Sequence, residues 1–459
     1  MLNNAKEFND FINNLIDLIS YESEMEYKEE NERHRAEMIG CDRYISNGEE
    51  FFKRIAHSNF GVTGSVAFKF ILNGISERSL DFVKESEEGE DFTRIIIYYE
   101  SSKAFDRALK ELDGSIRKQV FGKEFVDELI ENFKVTYALS INNDDKLSIY
   151  EQLNEEDYWR LNEINIKNVK SSLDKSASLV LGAGVSISSG AADWENLVTN
   201  LSKDIFDDLE NGKFSGSLDT KFGGALMTKA QFYREIIGDK DYYLKVYNSL
   251  YSDNWAKLDE NFDPNENNRL LKAIAYGIEK VSDNRSFKII TYNYDNHLEH
   301  KLKKIGVKHK SIFDMDDRIN NELSIYHVHG YMPFSAKKSD NRLLFYGKSV
   351  KLTEDDYNNL YNDAYCWQIG IQLMAFREST CIFIGSSLTD PNIRRLLRMV
   401  NKEKKKHYAL MVKEATQSNF ERMLRQKHLY EMGINTIWVN SIEELPEMVD
   451  TIFEQTRII

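Results

Sequence analysis

A doubly wound, parallel α/β sheet preceded by an α-rich domain is the fold class this sequence predicts. Three observations carry the prediction. From about Ile166 onward, short apolar runs recur without strict alternation, the pattern of strands covered on both faces. Longer helical patterns separate them, as parallel crossovers require. The charge also divides the chain. Of 60 basic and 75 acidic residues, residues 1–165 hold 20 and 35, which is the whole net charge of −15, and the remainder balances at 40 each. Two domains are therefore expected, 1–165 and 166–459.

In the first domain, Asn4 to Ile19 places Phe8, Phe11, Ile12, Leu15 and Leu18 at helical spacing. The acid-rich run from Glu85 to Asp91 reads as an exposed loop. Arg94-Ile-Ile-Ile-Tyr-Tyr is β-branched and aromatic, and is the one strand expected in this region. Helices are expected over Lys103–Leu112 and Lys123–Phe133. The region has no nucleophile, ligand cluster or Gly-rich loop, which suits regulation or assembly better than chemistry.

Composition narrows the class further. With 41% hydrophobic and 29% charged residues the chain can bury real cores, which excludes a disordered or fibrous protein. Cys41, Cys366 and Cys381 are too few and too scattered for a disulfide framework or a four-cysteine zinc site. No window approaches the ~18 uncharged apolar residues of a membrane span. The first residues carry acids throughout, unlike a signal peptide. A cytoplasmic protein that does not contact membrane is expected. The acidic balance argues against nucleic acid as a partner. The cluster Arg394, Arg395, Arg398, Lys402, Lys404, Lys405 and Lys406 reads as the solvated end of a helix, with a phosphate or partner contact as the alternative.

The second domain is read strand by strand. Ligands of doubly wound sheets bind beyond the carboxyl ends of the strands. After Ser178-Leu-Val-Leu comes Gly182-Ala183-Gly184-Val-Ser186, whose glycines let the backbone approach a pyrophosphate at the start of a helix or simply serve a tight turn. After Phe287-Lys-Ile-Ile comes Thr291-Tyr-Asn293-Tyr-Asp295-Asn296. Asn293 suits a hydroxyl or water and Asp295 an amide, while Asp295 or Asn296 equally suits a helix cap. Ile325-Tyr-His-Val leads to His329-Gly330, a candidate general base, with His327 as competitor. Thr380-Cys-Ile-Phe-Ile leads to Gly385-Ser386-Ser387-Leu-Thr-Asp390-Pro391, with small side chains and hydroxyls for a ribose or phosphate and a helix start at Asp390-Pro391. Two more strands are expected at Tyr408–Val412 and Asn435–Val439.

Taken in order, these motifs resemble the sirtuin family, specifically the bacterial sirtuin-like domains of anti-phage defence proteins, over roughly residues 166–459. The resemblance implies a Rossmann-like, sirtuin-like sheet. It also implies that Gly182, Ala183, Gly184 and Ser186 bind the NAD+ diphosphate. Thr291, Asn293 and Asp295 would position the nicotinamide ribose and carboxamide. His329 would be the base, and Gly385, Ser386 and Ser387 would hold the adenine ribose. Asp193, retained from a Pro-Asp-Phe-Arg stretch that here reads Ala192-Asp-Trp-Glu, would join the cofactor-binding residues. The zinc module of classical sirtuins is missing, because Cys366 is the only cysteine among residues 330–380.

A protein deacylase is therefore disfavoured, and no zinc is expected. With Asn293 and His329 as the catalytic pair, the resemblance implies an NAD+ hydrolase that cleaves the nicotinamide–ribose bond. The products would be nicotinamide and ADP-ribose, with linear against cyclic product left open. A homo-oligomer or a defence-system partner is expected to restrain it, and abortive infection is the implied setting. The reading from a different class is a non-catalytic NAD or ADP-ribose sensor.

Overall fold

The computed structural model describes residues 7–8, 10–12, 14–15, 48–55, 64–72, 75, 77–84, 92–141, 146–201, 226–251, 265–281, 287–315, 317, 322–363, 366–400 and 407–454. The chain forms two compact units, residues 1–168 with 417–427, and residues 169–416 with 428–459. The expected loop at 85–91, the lysines at 402–406, Leu18 and Cys41 lie outside the described residues.

In the first unit, four strands pair in sequence order: β1 (Gly48–Ile55), β2 (Gly64–Ile71), β3 (Phe92–Tyr98) and β4 (Val120–Phe121). β1 and β2 are antiparallel and the other pairs are parallel. The expected strand at Arg94–Tyr99 is β3, at the middle of this sheet. Its side chains alternate between two cores. Ile95 and Ile97 join Phe8, Phe11, Leu15, Val126 and Leu129 on one face. Ile96 meets Ile71, Leu80, Val83 and Phe105 on the other. The helical stripe of Phe8, Phe11, Ile12 and Leu15 is therefore ordinary core.

The helices expected at 103–112 and 123–133 run over Lys103–Glu111 and Lys123–Asn132. The helical character of the region holds, but the expectation of a single strand does not, since β1 and β2 add eight residues each. β2, GSVAFKFI, does carry period-two spacing at Val66, Phe68 and Phe70. In β1 the charges of Glu49, Glu50, Lys53 and Arg54 obscure the pattern. Residues 417–427 complete the unit. There Arg422 is 2% exposed, sits 3.6 Å above the ring of Tyr158, and donates from Nη1 to Glu155 at 2.8 Å.

The second unit holds a seven-stranded sheet, ordered β11-β10-β9-β5-β6-β8-β7 with every pair parallel. Its strands are β5 (Ala177–Leu181), β6 (Lys288–Thr291), β7 (His309–Ile312), β8 (Leu323–His327), β9 (Thr380–Ile384), β10 (His407–Val412) and β11 (Ile434–Val439). Six of them are the expected apolar runs. The seventh, β7, reads His-Lys-Ser-Ile and lies at the sheet edge, where half its surroundings are not core, so its sequence shows no apolar run. β5 is buried at all five residues, as a central strand covered on both sides must be. Strand order reverses between β5 and β9: from β5 the chain first builds one side of the sheet through β8, then returns to build the other. No described helix is long and apolar enough to cross a membrane.

Candidate active site

Register decides which residues surface together. Leu181 is level with Thr291 on one side and Ile384 on the other, and Thr291 is level with His327. The residues that follow, Gly182, Tyr292, Val328 and Gly385, thus open along one edge of the sheet, around the point where strand order reverses. That crevice is where open α/β sheets bind ligands. All four sequence motifs converge there.

The loops after β5 and β9 interlock through backbone. Gly182 N donates to Ile384 O at 3.0 Å and Gly184 N to Gly385 O at 2.9 Å. A Cβ on Gly184 would lie 2.9 Å from Gly385 Cα, and one on Gly385 would lie 2.6 Å from Val185 N. Gly385 also has a φ of +68°. Packing of loop on loop accounts for both glycines. Two short 3₁₀ turns follow, Ala183–Val185 and Ile187–Ser189, in place of the expected direct entry into an α-helix. Residues 194–201 are helical, and Asp193 caps them, accepting from Asn196 N at 2.7 Å and from its carboxamide at 2.9 Å.

Ser186 ties this loop to the end of β6. Its hydroxyl donates to Asp295 Oδ1 at 3.0 Å and accepts from Asn293 Nδ2 at 3.1 Å. Asp295 Oδ1 also accepts from His297 N at 3.0 Å, so the carboxylate starts the helix His297–Lys304 as well as anchoring Ser186. Thr291 Oγ1 accepts from Asn293 N at 3.1 Å. Asn293 is thus held at its backbone by Thr291 and at its Nδ2 by Ser186, while its Oδ1 is buried without a hydrogen-bond partner among the described residues. A buried acceptor left unpaired costs about 1–3 kcal/mol, so it marks a place where a ligand's donor fits.

His329 lies on the neighbouring strand end and is 4% exposed. Its Nε2 is likewise buried without a hydrogen-bond partner among the described residues. Asp390 Oδ2 is 3.8 Å away, too far for a hydrogen bond but close enough to act by charge. The rings of Tyr292 and Tyr357 meet the imidazole edge-on at 4.8 and 5.6 Å. Burial pulls the imidazole below its usual pKa and the Asp390 carboxylate opposes that. Of the two, burial is the larger, and it keeps the ring neutral, the state a general base needs. Gly330 has a φ of +106°, and a Cβ there would fall 2.3 Å from Ser349 O, so the turn after His329 admits no side chain.

His327, the competitor, is committed elsewhere. Its Nδ1 faces Asn293 O at 3.0 Å and its Nε2 faces Glu299 Oε1 at 2.5 Å. Ser311 of β7 donates to the same carboxylate oxygen at 2.9 Å. Burial pushes the Glu299 carboxyl up, but the charge and hydrogen bond of His327, with help from its own backbone N–H and Ser311, hold it below the usual range.

Ser386 Oγ accepts from Leu388 N at 3.3 Å, and Ser387 shares a hydrogen bond with Thr389 at 2.7 Å on the exposed rim. Leu388 between them has a φ of +57°, a left-handed conformation unusual for a branched side chain. Asp390 starts the helix Pro391–Val400 as expected, accepting from Asn392 N at 2.7 Å and Ile393 N at 3.2 Å. Arg394, Arg395 and Arg398 lie on that helix, and Arg394 contacts His428.

Three supporting groups escaped the sequence reading. Asn268, fully buried, donates to Val185 O and Ser189 Oγ at 2.8 Å each and caps Leu271 N, so it ties the β5 loop to the start of the helix it caps. Its place just before the helix Arg269–Val281 is a cap signal, but nothing local links it to residue 185. Tyr292 donates to Gln372, and Tyr357 donates to Asp390 at 3.4 Å. Among the described residues no group of His, Cys, Asp and Glu is arranged to hold a metal.

Residues 288–432 match the family model of the SIR2-like domain, so the stretch from β6 into the helix before β11 is SIR2-like. The chain is 25% identical over 312 residues to NAD(+) hydrolase ThsA of Enterococcus faecium, covering 62% of this chain and 57% of that protein. It is 24% identical over 315 residues to NAD(+) hydrolase ThsA of Bacillus cereus (strain MSX-D12), covering 63% and 56%. Defense-associated sirtuin 2 of Bacillus subtilis is 26% identical over 228 residues, 49% of this chain and 19% of that protein. The chain thus spans a little more than half the length of the two hydrolases it resembles.

Proposed function

We propose that this SIR2-like chain is an NAD+ hydrolase of anti-phage defence, cleaving the nicotinamide–ribose bond to release nicotinamide and ADP-ribose. The observation that carries the reading is the pair of buried polar atoms left unpartnered among the described residues, Asn293 Oδ1 and His329 Nε2, at adjacent strand ends of the switch-point crevice. One is an acceptor suited to orient a water or ribose hydroxyl. The other is a neutral imidazole suited to take its proton. The bond breaks through an oxocarbenium-like state with nicotinamide leaving neutral, so grip and orientation supply most of the catalysis. The relatives named as NAD(+) hydrolases support the same reading.

In this proposal Gly182, Ala183, Gly184 and Ser186 line the diphosphate side, Thr291 and Asp295 hold the nicotinamide side, and Gly385, Ser386 and Ser387 the adenosine side. Asp193 acts on the loop as its helix cap. The first unit serves regulation or assembly in the cytoplasm, as an oligomer or with a defence partner, and depletion of NAD+ in the infected cell gives abortive infection.

The test incubates the purified full chain with NAD+ and, separately, with NAD+ and an acetylated peptide, following products by chromatography and mass by light scattering. Nicotinamide and ADP-ribose formed without peptide support the hydrolase. Binding without turnover would make it a sensor, and peptide-dependent turnover a deacylase.

A further inference from the structure

The loop after β9 brings a carboxylate to the imidazole from a different part of the chain. Asp390 divides its two oxygens between two tasks. Oδ1 accepts from the backbone N–H groups of Asn392 and Ile393 and is fixed at the first turn of the helix Pro391–Val400. Oδ2 is thereby turned toward the crevice, where it faces Tyr357 Oη at 3.4 Å and His329 Nε2 at 3.8 Å. The backbone of His329 is fixed independently, since Lys351 N donates to its carbonyl at 2.7 Å. Two rigid elements therefore hold a carboxylate and an imidazole face to face, with a gap slightly wider than one hydrogen bond.

We propose that Asp390 is the positioning partner of His329: its carboxylate orients the ring and balances the charge that appears when Nε2 takes a proton. This rests on the reading of His329 as the base. The proton moves to Nε2 and stays there, while Asp390 remains ionised. The other described groups facing the ring are the phenols of Tyr292 and Tyr357. Burial raises the pKa of Tyr292, and the Asp390 charge adds to that, so it brings no competing anion at neutral pH. Among the described residues, Asp390 is the carboxylate that faces the ring. In a buried site an opposite charge at about 4–6 Å favours the charged form by roughly 1–3 pH units, enough to decide how readily the imidazole accepts a proton.

The deciding variant is Asp390→Asn in the full chain. Asn caps helices about as well as Asp, so the helix start is kept while the charge is removed. The imidazole of His329, identified by the signal lost in His329→Ala, is titrated by NMR in both proteins. Asp390→Asn is expected to lower its midpoint by about one pH unit or more. Nicotinamide release should fall roughly 10²-fold in kcat, with KM held within about twofold. Asp390→Glu, which keeps the charge, should restore most of the midpoint. An unchanged midpoint in Asp390→Asn overturns the inference whatever the activity. A shifted midpoint in a protein that never cleaves NAD+ upholds the pairing and sinks the hydrolase reading instead.

Discussion

His327 and Glu299 form a buried hydrogen-bonded pair, Nε2 to Oε1 at 2.5 Å, with side-chain exposures of 1% and 8%. The other ring nitrogen of His327 reaches Asn293 O, so the pair braces the backbone of a proposed catalytic residue without facing the crevice. Removing the carboxylate leaves the His327 and Ser311 groups that meet it buried without a partner, which costs about 1–3 kcal/mol. Glu299→Ala should lose about that much in urea unfolding. The Glu299 carboxyl is held below its usual 4.5, so its contribution is complete above that pH and is lost as pH falls through the lowered folded value. The gap between wild type and Glu299→Ala should therefore be constant from pH 7 to about 5 and close below about 4.5. A gap that widens in acid would contradict this account.

Asn293→Ala and His329→Ala should each reduce NAD+ cleavage by roughly 10²–10⁴-fold. Each removes a buried polar atom that no described group satisfies, so the desolvation cost disappears with the side chain. Thermal midpoints should consequently stay within a few degrees of wild type. Near-normal turnover in His329→Ala would remove the imidazole from the mechanism, because His327 is already engaged with Glu299 and cannot replace it.

Burial holds the His329 imidazole below its usual 6.5. A base must be neutral to act, so the acid limb of the kcat/KM profile should lie below pH 6.5, with the rate flat from there to about pH 8. A limb above pH 7 would mean that the ring is protonated in the free enzyme and that another group is the base.

Gly385→Ala places a Cβ 2.6 Å from Val185 N on a residue whose φ is +68°. Strain of that kind costs about 1–3 kcal/mol and would force the two loops apart. Chemical unfolding should register the loss, and NAD+ affinity should fall with it. A variant as stable as wild type would mean that the loops do not close on each other in solution.

Metal removal should change nothing. The chain has three cysteines, and Cys366 and Cys381 are both buried. We expect elemental analysis of active protein to find far less than one zinc per chain, and chelator treatment to leave turnover intact. About one zinc per chain would refute this.

What was legible in the sequence follows from the range of the interactions. The strands of the second unit could be read because a strand buried on both faces must be a run of apolar side chains, as in Ala177–Leu181. The crevice could be read because its motifs sit at strand ends. β7 could not, being a polar edge, nor β1, whose charges mask its pairing. Roles that depend on partners far along the chain were also hidden. Ser186 meets Asn293 and Asp295 more than a hundred residues away, and Asn268 holds Val185 across more than eighty. Nothing in the local spelling of His327-Val-His329 tells which imidazole is tied to Glu299 and which faces the crevice. Only the register of β6, β8 and the following helix decides that.

The contact of Gly184 with Gly385 also sets a timetable for the newborn chain. About two hundred residues separate the two loops, so a ribosome that has completed β5 must make all of that length before the second loop exists. At roughly 5–20 residues per second this interval is roughly 10–40 s. Throughout it the nascent polypeptide carries the first loop, and later the histidine, without the surface they close against. A message cut short anywhere before β9 would yield a product with at most three of the four motifs and no assembled crevice. If the finished protein destroys NAD+, its translation is harmless to the host until close to the last strands.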